Sequence, residues 1–211
     1  MGDVKVAYMV LGPFMTNTYI LYDELSKKAS IIDPSFTPDA ILKFLSNKQL
    51  TVESILLTHA HADHIAGLNR IRKEFPKSKT YMNKQDEAYL TDPAKNLSDT
   101  LSAPIICDAP DVWVSDGETI HILGEALVIL ATPGHTPGGV SYYWKEKHIV
   151  FTGDALFQGS IGRTDFPGGN LEELIASIRK NLFPLPDNTI VLSGHGEPTT
   201  IGREKTHNPF F

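Results

Sequence analysis

The sequence predicts an α+β chain in which packed β-sheets are flanked by helices. Three observations carry this. Short runs rich in Val, Ile and Tyr recur in both halves, three other stretches show helical periodicity, and turn residues separate them. The second half loosely repeats the order of the first. No low-complexity tract or linker interrupts the 211 residues, so one domain over 1–211 is expected.

The elements follow in order. VKVAYMV, TYILY and ASIID read as strands, separated by GPFMTN and the charged turn DELSKK. DPSFTPDAILKFLSNKQ turns helical, with Ile41, Leu42, Phe44 and Leu45 on one face. ESILLT is a short buried strand. IAGLNRIRKEF is a helix ended by Pro76. Residues 83–104 are polar and read as one short helix and a loop. GETIHIL with ALVILAT, and GVSYYW with HIVFTG, read as hairpins. LEELIASIRKNLF is an amphipathic helix ended by Pro184, and NTIVLSG is the final strand.

Composition narrows the function. A net charge of −6 and a pI near 5.7 argue against a nucleic-acid partner, which would call for a basic patch. No apolar run is long enough to span a bilayer, and the start, MGDVKVAYMVLGPF, lacks the pattern of a secretory signal. The single cysteine, Cys107, has no internal partner and is compatible with a reducing compartment; a cytoplasmic location is expected. Cys107 itself reads as a small buried apolar residue.

Residues 58–64 read THAHADH, placing His59, His61, Asp63 and His64 within six positions. Three more apolar strands end on metal-ligand residue types, each just after a glycine: His135 after Gly134, Asp154 after Gly153, and His195 after Gly194. Glycine permits the tight turns and close approach that a crowded site needs. In an extended segment residues i and i+2 face the same way, so His59 and His61 can share one metal, completed by His135. Asp63 and His64 open the next helix and, with His195, can hold a second. Asp154 has two oxygens and can bridge both. Two divalent cations, two carboxylates and a bridging hydroxide leave a site of about +1, suited to an anionic transition state. The chemistry implied is hydrolysis, with Asp63 and Asp154 at its centre and a metal-bound hydroxide as nucleophile. Imidazole-rich sites accept Zn, Fe or Mn, with Zn expected first.

The HxHxDH…H…D…H set, running from His59 to His195, resembles the metallo-β-lactamase fold superfamily. FTGDALFQGSIGRTDFPGGN resembles its glyoxalase II-like, hydroxyacylglutathione hydrolase-type branch, particularly the short members. The resemblance implies a four-layer αββα sandwich with two metals at one edge and a thioester substrate such as S-lactoylglutathione. Longer glyoxalase II enzymes carry a C-terminal helical region that helps hold glutathione. Only sixteen residues follow His195 here, so the glutathione half of that substrate rests on the resemblance alone. The resemblance also supports Asp33, which ends the strand ASIID, as an acceptor for a ligand histidine. Arg163, in SIGRTD, is expected to bind a substrate carboxylate, and Asp165 to orient its loop.

The runner-up is a persulfide dioxygenase-like enzyme of the same superfamily, using one iron on His59, His135 and Asp154. Its glycine-cysteine pair before GRTDF is Ser160-Ile161 here, which counts against it. A β-lactamase ranks lower, because those enzymes generally lack the bridging aspartate. His121, His148 and His207 are expected to be structural or solvated, and the tail Phe210-Phe211 to pack on the body or mark an interface. No oligomeric state follows from the sequence.

Overall fold

A computed structural model describes residues 3–211. The first half runs β1 (Lys5–Leu11), β2 (Thr16–Asp23), β3 (Lys28–Ile32), α1 (Pro38–Lys48), β4 (Thr51–Leu56), α2 (Ala62–Ile65), α3 (Leu68–Glu74), β5 (Lys79–Asn83), a 3₁₀ segment (Lys84–Leu90) and β6 (Val112–Val114). The second runs β7 (Thr119–Ile122), β8 (Glu125–Ala131), β9 (Val140–Trp144), β10 (Ile149–Gly153), β11 (Leu156–Phe157), β12 (Ser160–Ile161), α4 (Leu171–Ser177), β13 (Ile190–Ser193), β14 (Thr199–Thr200) and α5 (Ile201–His207). β1 to β6 form one sheet in chain order. The other sheet has the order β14-β13-β10-β9-β8-β7.

Side-chain alternation builds the layers. On β2, Ile20 and Tyr22 face one way and pack with Ile41 and Leu45 of α1 and Leu68 and Ile71 of α3. Tyr19 and Leu21 face the other way, onto Leu127, Ile129, Tyr142 and Phe151 of the second sheet. On that sheet Tyr143, Val150 and Val191 turn outward onto Leu174 of α4, Leu182 and Ile201 of α5. Three cores therefore separate four layers, helix–sheet–sheet–helix: the αββα sandwich. Both sheets are buried on two faces, which is why β2 and β9 read as continuous buried runs.

α1 begins with Pro38 in its first turn, carries Asp39 there and Lys48 in its last, and ends where the Gln49 N–H bonds the Leu45 and Ser46 carbonyls. Three expectations need correction. The single helix expected over IAGLNRIRKEF is two, α2 and α3. The chain breaks at Ala66-Gly67, where the Gly67 N–H donates to Pro34 O at 2.8 Å. The helix expected over LEELIASIRKNLF is α4 continued as a π-helical turn, Ile178–Leu182. NTIVLSG is not the last element: β14 and α5 follow it. Among the described residues no helix is long and apolar enough to cross a membrane. Phe211 packs edge-on against Phe183, while Phe210 is exposed.

The site lies where the sheets meet. β3, β4, β5 and β6 run parallel, as do β10 and β13, so their C-terminal loops emerge at common edges. Those edges are stitched together: Asn17 N–H donates to Gly194 O at 2.7 Å, Val140 N–H to Thr58 O at 2.9 Å, and Tyr142 Oη to Leu57 O at 2.8 Å.

Candidate metal centre

All seven residues expected from the sequence converge. His59, His61 and His135 form one group, His59, His64 and Asp154 a second, and Asp63, His64 and His195 a third; within each, one ligand atom per residue lies within 4.8 Å of the others. Asp154 sits between them. Its Oδ2 is 3.6 Å from His135 Nε2 and 3.4 Å from His195 Nε2, and its Oδ1 is 3.3 Å from His64 Nε2. His61 Nδ1 is 2.9 Å from His135 Nε2, and His195 Nε2 is 3.2 Å from Asp63 Oδ2.

The donor set fits a metal. His59 Nε2, His61 Nε2, His64 Nε2 and Asp154 Oδ1 are buried without a well-formed hydrogen bond, His64 Nε2 and Asp154 Oδ1 facing each other at 3.3 Å. Each such orphan costs about 1–3 kcal/mol unless something beyond the chain satisfies it. The far sides of the rings are tied down in a way that bares these atoms. Arg163 O can only accept, so His135 Nδ1, at 2.6 Å, donates to it and Nε2 carries no proton, leaving its lone pair facing His61 Nδ1. Thr58 Oγ1 gives its one proton to Asp33 Oδ2 at 2.6 Å and therefore accepts from His59 Nδ1 at 3.1 Å. Asp33 Oδ2 also faces His64 Nδ1 at 2.9 Å, while its Oδ1 accepts the Thr58 N–H at 2.8 Å. One buried aspartate thus orients His64 directly and His59 through Thr58.

Electrostatics divide the cluster. Burial, joined by the neighbouring imidazoles, holds His59 well below the ordinary histidine value and His61 at about 3. That end offers neutral nitrogens. At the other end burial also opposes charge, but Asp63, Asp154 and Asp33 raise His64 well above its ordinary value. Burial likewise opposes charge on His195, yet Asp154 and Asp63 raise it to about 10. Burial works to raise Asp63, but His64 and His195 bring it down to about 2.

Crowding explains one of the glycines. A Cβ at Gly194 would overlap Asp154 Oδ1 and stand 2.7 Å from His64 Cε1, so any side chain there must push both of those side chains out of place.

Arg163 sits apart. Its side chain is 66% exposed, and its guanidinium lies 4.1 Å over the Phe166 ring and is paired through Nη2 with Asp165 at 2.6 Å. A cavity of about 690 Å³ opens between it and the cluster, with Phe14, Leu97, Phe157 and Phe166 on its walls. His121 and His148 are exposed, His207 bonds Thr206 Oγ1 at 2.6 Å, and none joins the cluster. Cys107 is buried in the core beneath α1 and α3.

Sequence reasoning missed three supports. Thr16 Oγ1 donates to Asp63 Oδ2 at 2.8 Å, Thr58 links Asp33 to His59, and Asp86 lies under the loops carrying His61 and His135. The Gly138-Gly139 pair following His135 is the sequence signal for a close neighbour there.

Residues 11–195 match the metallo-beta-lactamase superfamily. This chain belongs to that superfamily. Within it, the chain is 40% identical over 210 residues to the hydroxyacylglutathione hydrolase GloC of Haemophilus influenzae, covering 98% of each. It is similar to the crystal structure of BLEG-1 B3 metallo-beta-lactamase, with a TM-score of 0.92, 43% identity, and 98% and 99% of the two chains covered. It also resembles TTHA1623, solved in a di-iron-bound form, with a TM-score of 0.85, 33% identity, and 97% and 100% covered. The metallo-β-lactamase fold expected from the sequence is the fold observed. The His/Asp groups are suited to one or two adjacent metal-binding sites, in keeping with a metal-binding hydrolase or oxidoreductase of that superfamily.

Proposed function

We propose that this chain is a dinuclear metallohydrolase of thioesters of the S-lactoylglutathione type. One observation carries the reading: a full seven-residue donor set arranged as overlapping groups, with Asp154 between them. The name of the Haemophilus relative supports the substrate class. His59, His61 and His135 would hold one cation, and Asp63, His64 and His195 the other, with Asp154 between them and available to either. Bound there, two divalent cations supply an acidified water and a Lewis acid for the departing thiolate. The chain's own part is positional. Asp33 and Thr58 aim His64 and His59, Thr16 holds Asp63, and Arg163 offers a substrate carboxylate its guanidinium in exchange for Asp165. Water adds to the thioester carbon, the carbon–sulfur bond breaks, and acid and thiol leave.

The test is metal content together with products. Two equivalents per chain and metal-dependent thiol release from S-lactoylglutathione without oxygen are expected, and His195→Ala should abolish that release. Oxygen uptake with glutathione persulfide that survives His195→Ala and requires iron would overturn the reading in favour of a mononuclear dioxygenase. Faster turnover of a β-lactam than of any thioester would overturn it in favour of a lactamase.

A further inference from the structure

We propose that Asp86 is a positioning residue that locks together the two loops carrying His59, His61 and His135. The inference rests on the cluster being a metal centre but not on the reaction run there. Asp86 lies in the 3₁₀ segment after β5 and is fully buried. Its Oδ2 accepts the Ala60 N–H at 3.2 Å and the Thr136 hydroxyl at 2.8 Å, and its Oδ1 accepts the Gly138 N–H at 2.6 Å. Ala60 stands between His59 and His61, and Thr136 follows His135. One carboxylate therefore fixes both loops that converge on the first group.

The fit is close. A Cβ at Gly138 would lie 2.6 Å from both Asp86 N and Asp86 Oδ1, so the loop after His135 is as near to Asp86 as a backbone can come. Asp86 is itself held at both ends of its turn. Asn83 Oδ1 accepts the Gln85 N–H at 2.9 Å, and Tyr89 Oη donates to Pro167 O at 2.6 Å. No lysine or arginine pairs with this carboxylate among the described residues, and burial is costly for a group held only by neutral donors. Asp63 and His64 have separate anchors in Thr16 and Asp33. Loss of Asp86 should accordingly loosen the group of His59, His61 and His135 and spare that of Asp63, His64 and His195.

Asp86→Asn tests this on the full-length protein loaded with Zn²⁺ and titrated with chelator. The amide oxygen can still accept from Gly138, but its NH₂ then faces the Ala60 N–H, donor against donor. The first equivalent of metal should be stripped at a chelator concentration about 10–100-fold lower than in wild type, with the other equivalent unmoved. With Co²⁺ in place of Zn²⁺, the absorption bands of that one site should shift. Glu204→Gln is the control. Glu204 is equally buried and accepts from Thr199 Oγ1 at 2.6 Å and the Gly159 N–H at 2.8 Å, away from the cluster. It should lower Tm and leave both chelator midpoints in place. Thr136→Val removes one contact to Asp86 and should give a smaller shift in the same direction, which decides the matter if Asp86→Asn fails to fold. Equal loosening of both equivalents, no loosening, or the same loosening in Glu204→Gln would overturn the proposal. If wild type binds one equivalent only, the two-metal reading falls. The role of Asp86 is then decided by whether that equivalent loosens.

Discussion

Asp33→Asn should weaken metal binding through His64 by a predictable amount. Asp33 has a φ of 51°, a conformation asparagine also tolerates, so this substitution changes chemistry without adding backbone cost. Alanine there would add about 1–2 kcal/mol of strain. Asparagine has one acceptor oxygen where aspartate has two. If that oxygen keeps the Thr58 N–H, the NH₂ faces His64 Nδ1, and the ring must carry its proton on Nε2, the atom aimed into the cluster. If the amide flips, the buried Thr58 N–H loses its acceptor. Either way one charge-assisted bond is lost, worth about 1.5–3 kcal/mol. Loss of such a support costs about 10–100-fold in metal affinity, or about 1.4–2.8 kcal/mol. The two figures agree. The assay is elemental analysis across a graded chelator series, with ¹⁵N NMR of the histidine rings to read the His64 tautomer. Wild-type chelator midpoints in Asp33→Asn, with the His64 proton still on Nδ1, would refute the reasoning.

Three further outcomes are expected. Arg163→Ala should raise KM for an anionic thioester more than it lowers kcat, and Asp165→Ala, which frees the guanidinium, should lower KM; steady-state kinetics check both. Gly194→Ala should cost metal while circular dichroism shows a retained fold, because its Cβ would displace Asp154 and His64. Gly196→Ala, where φ is 74° and nothing stands within 4 Å, should cost about 1–2 kcal/mol of stability and no metal. Burial pushes the Cys107 thiol up to about 12, with Arg72 pulling the other way. The folded state thus favours the protonated thiol, and stability should fall as pH rises from the ordinary thiol range toward 12. Alkylation of native protein at pH 8 should be slow and should follow unfolding. Labelling at the rate of a free thiol would contradict this.

The legible part of the site was local. THAHADH is dense enough to stand out, and His135, Asp154 and His195 each follow an apolar run and a glycine. Asp86 was not legible, because what makes it matter lies 50 residues away at Thr136 and 52 away at Gly138. The layers were legible because β2, β9 and α1 have clear periodicity. β6 has three residues and β14 two, too few to show any, and α5 anchors itself through a buried glutamate rather than an apolar stripe. The break between α2 and α3 comes from a contact with Pro34, which no local propensity encodes.

The anchors also explain which ligands a substrate can meet. His61, Asp63, His135, Asp154 and His195 form the floor of the cavity, while His59 and His64 do not line it. Those two are the histidines that Asp33 and Thr58 hold from behind. The ligands furthest from substrate are thus the ones fixed to buried protein. The floor includes members of both outer groups, so one carbonyl in the cavity can lie near both. His195 is the most exposed of the histidines in the cluster for which side-chain exposure separates them, at 28% against 0% for His64 and 7% for His135. His195 is thus the member of the cluster with most room to move against whatever the cavity holds. Substitutions at His59 and His64 should therefore act through metal retention alone. A conservative substitution at His195 that keeps residual turnover should also alter KM across a series of thioesters that differ in their thiol, at matched metal content.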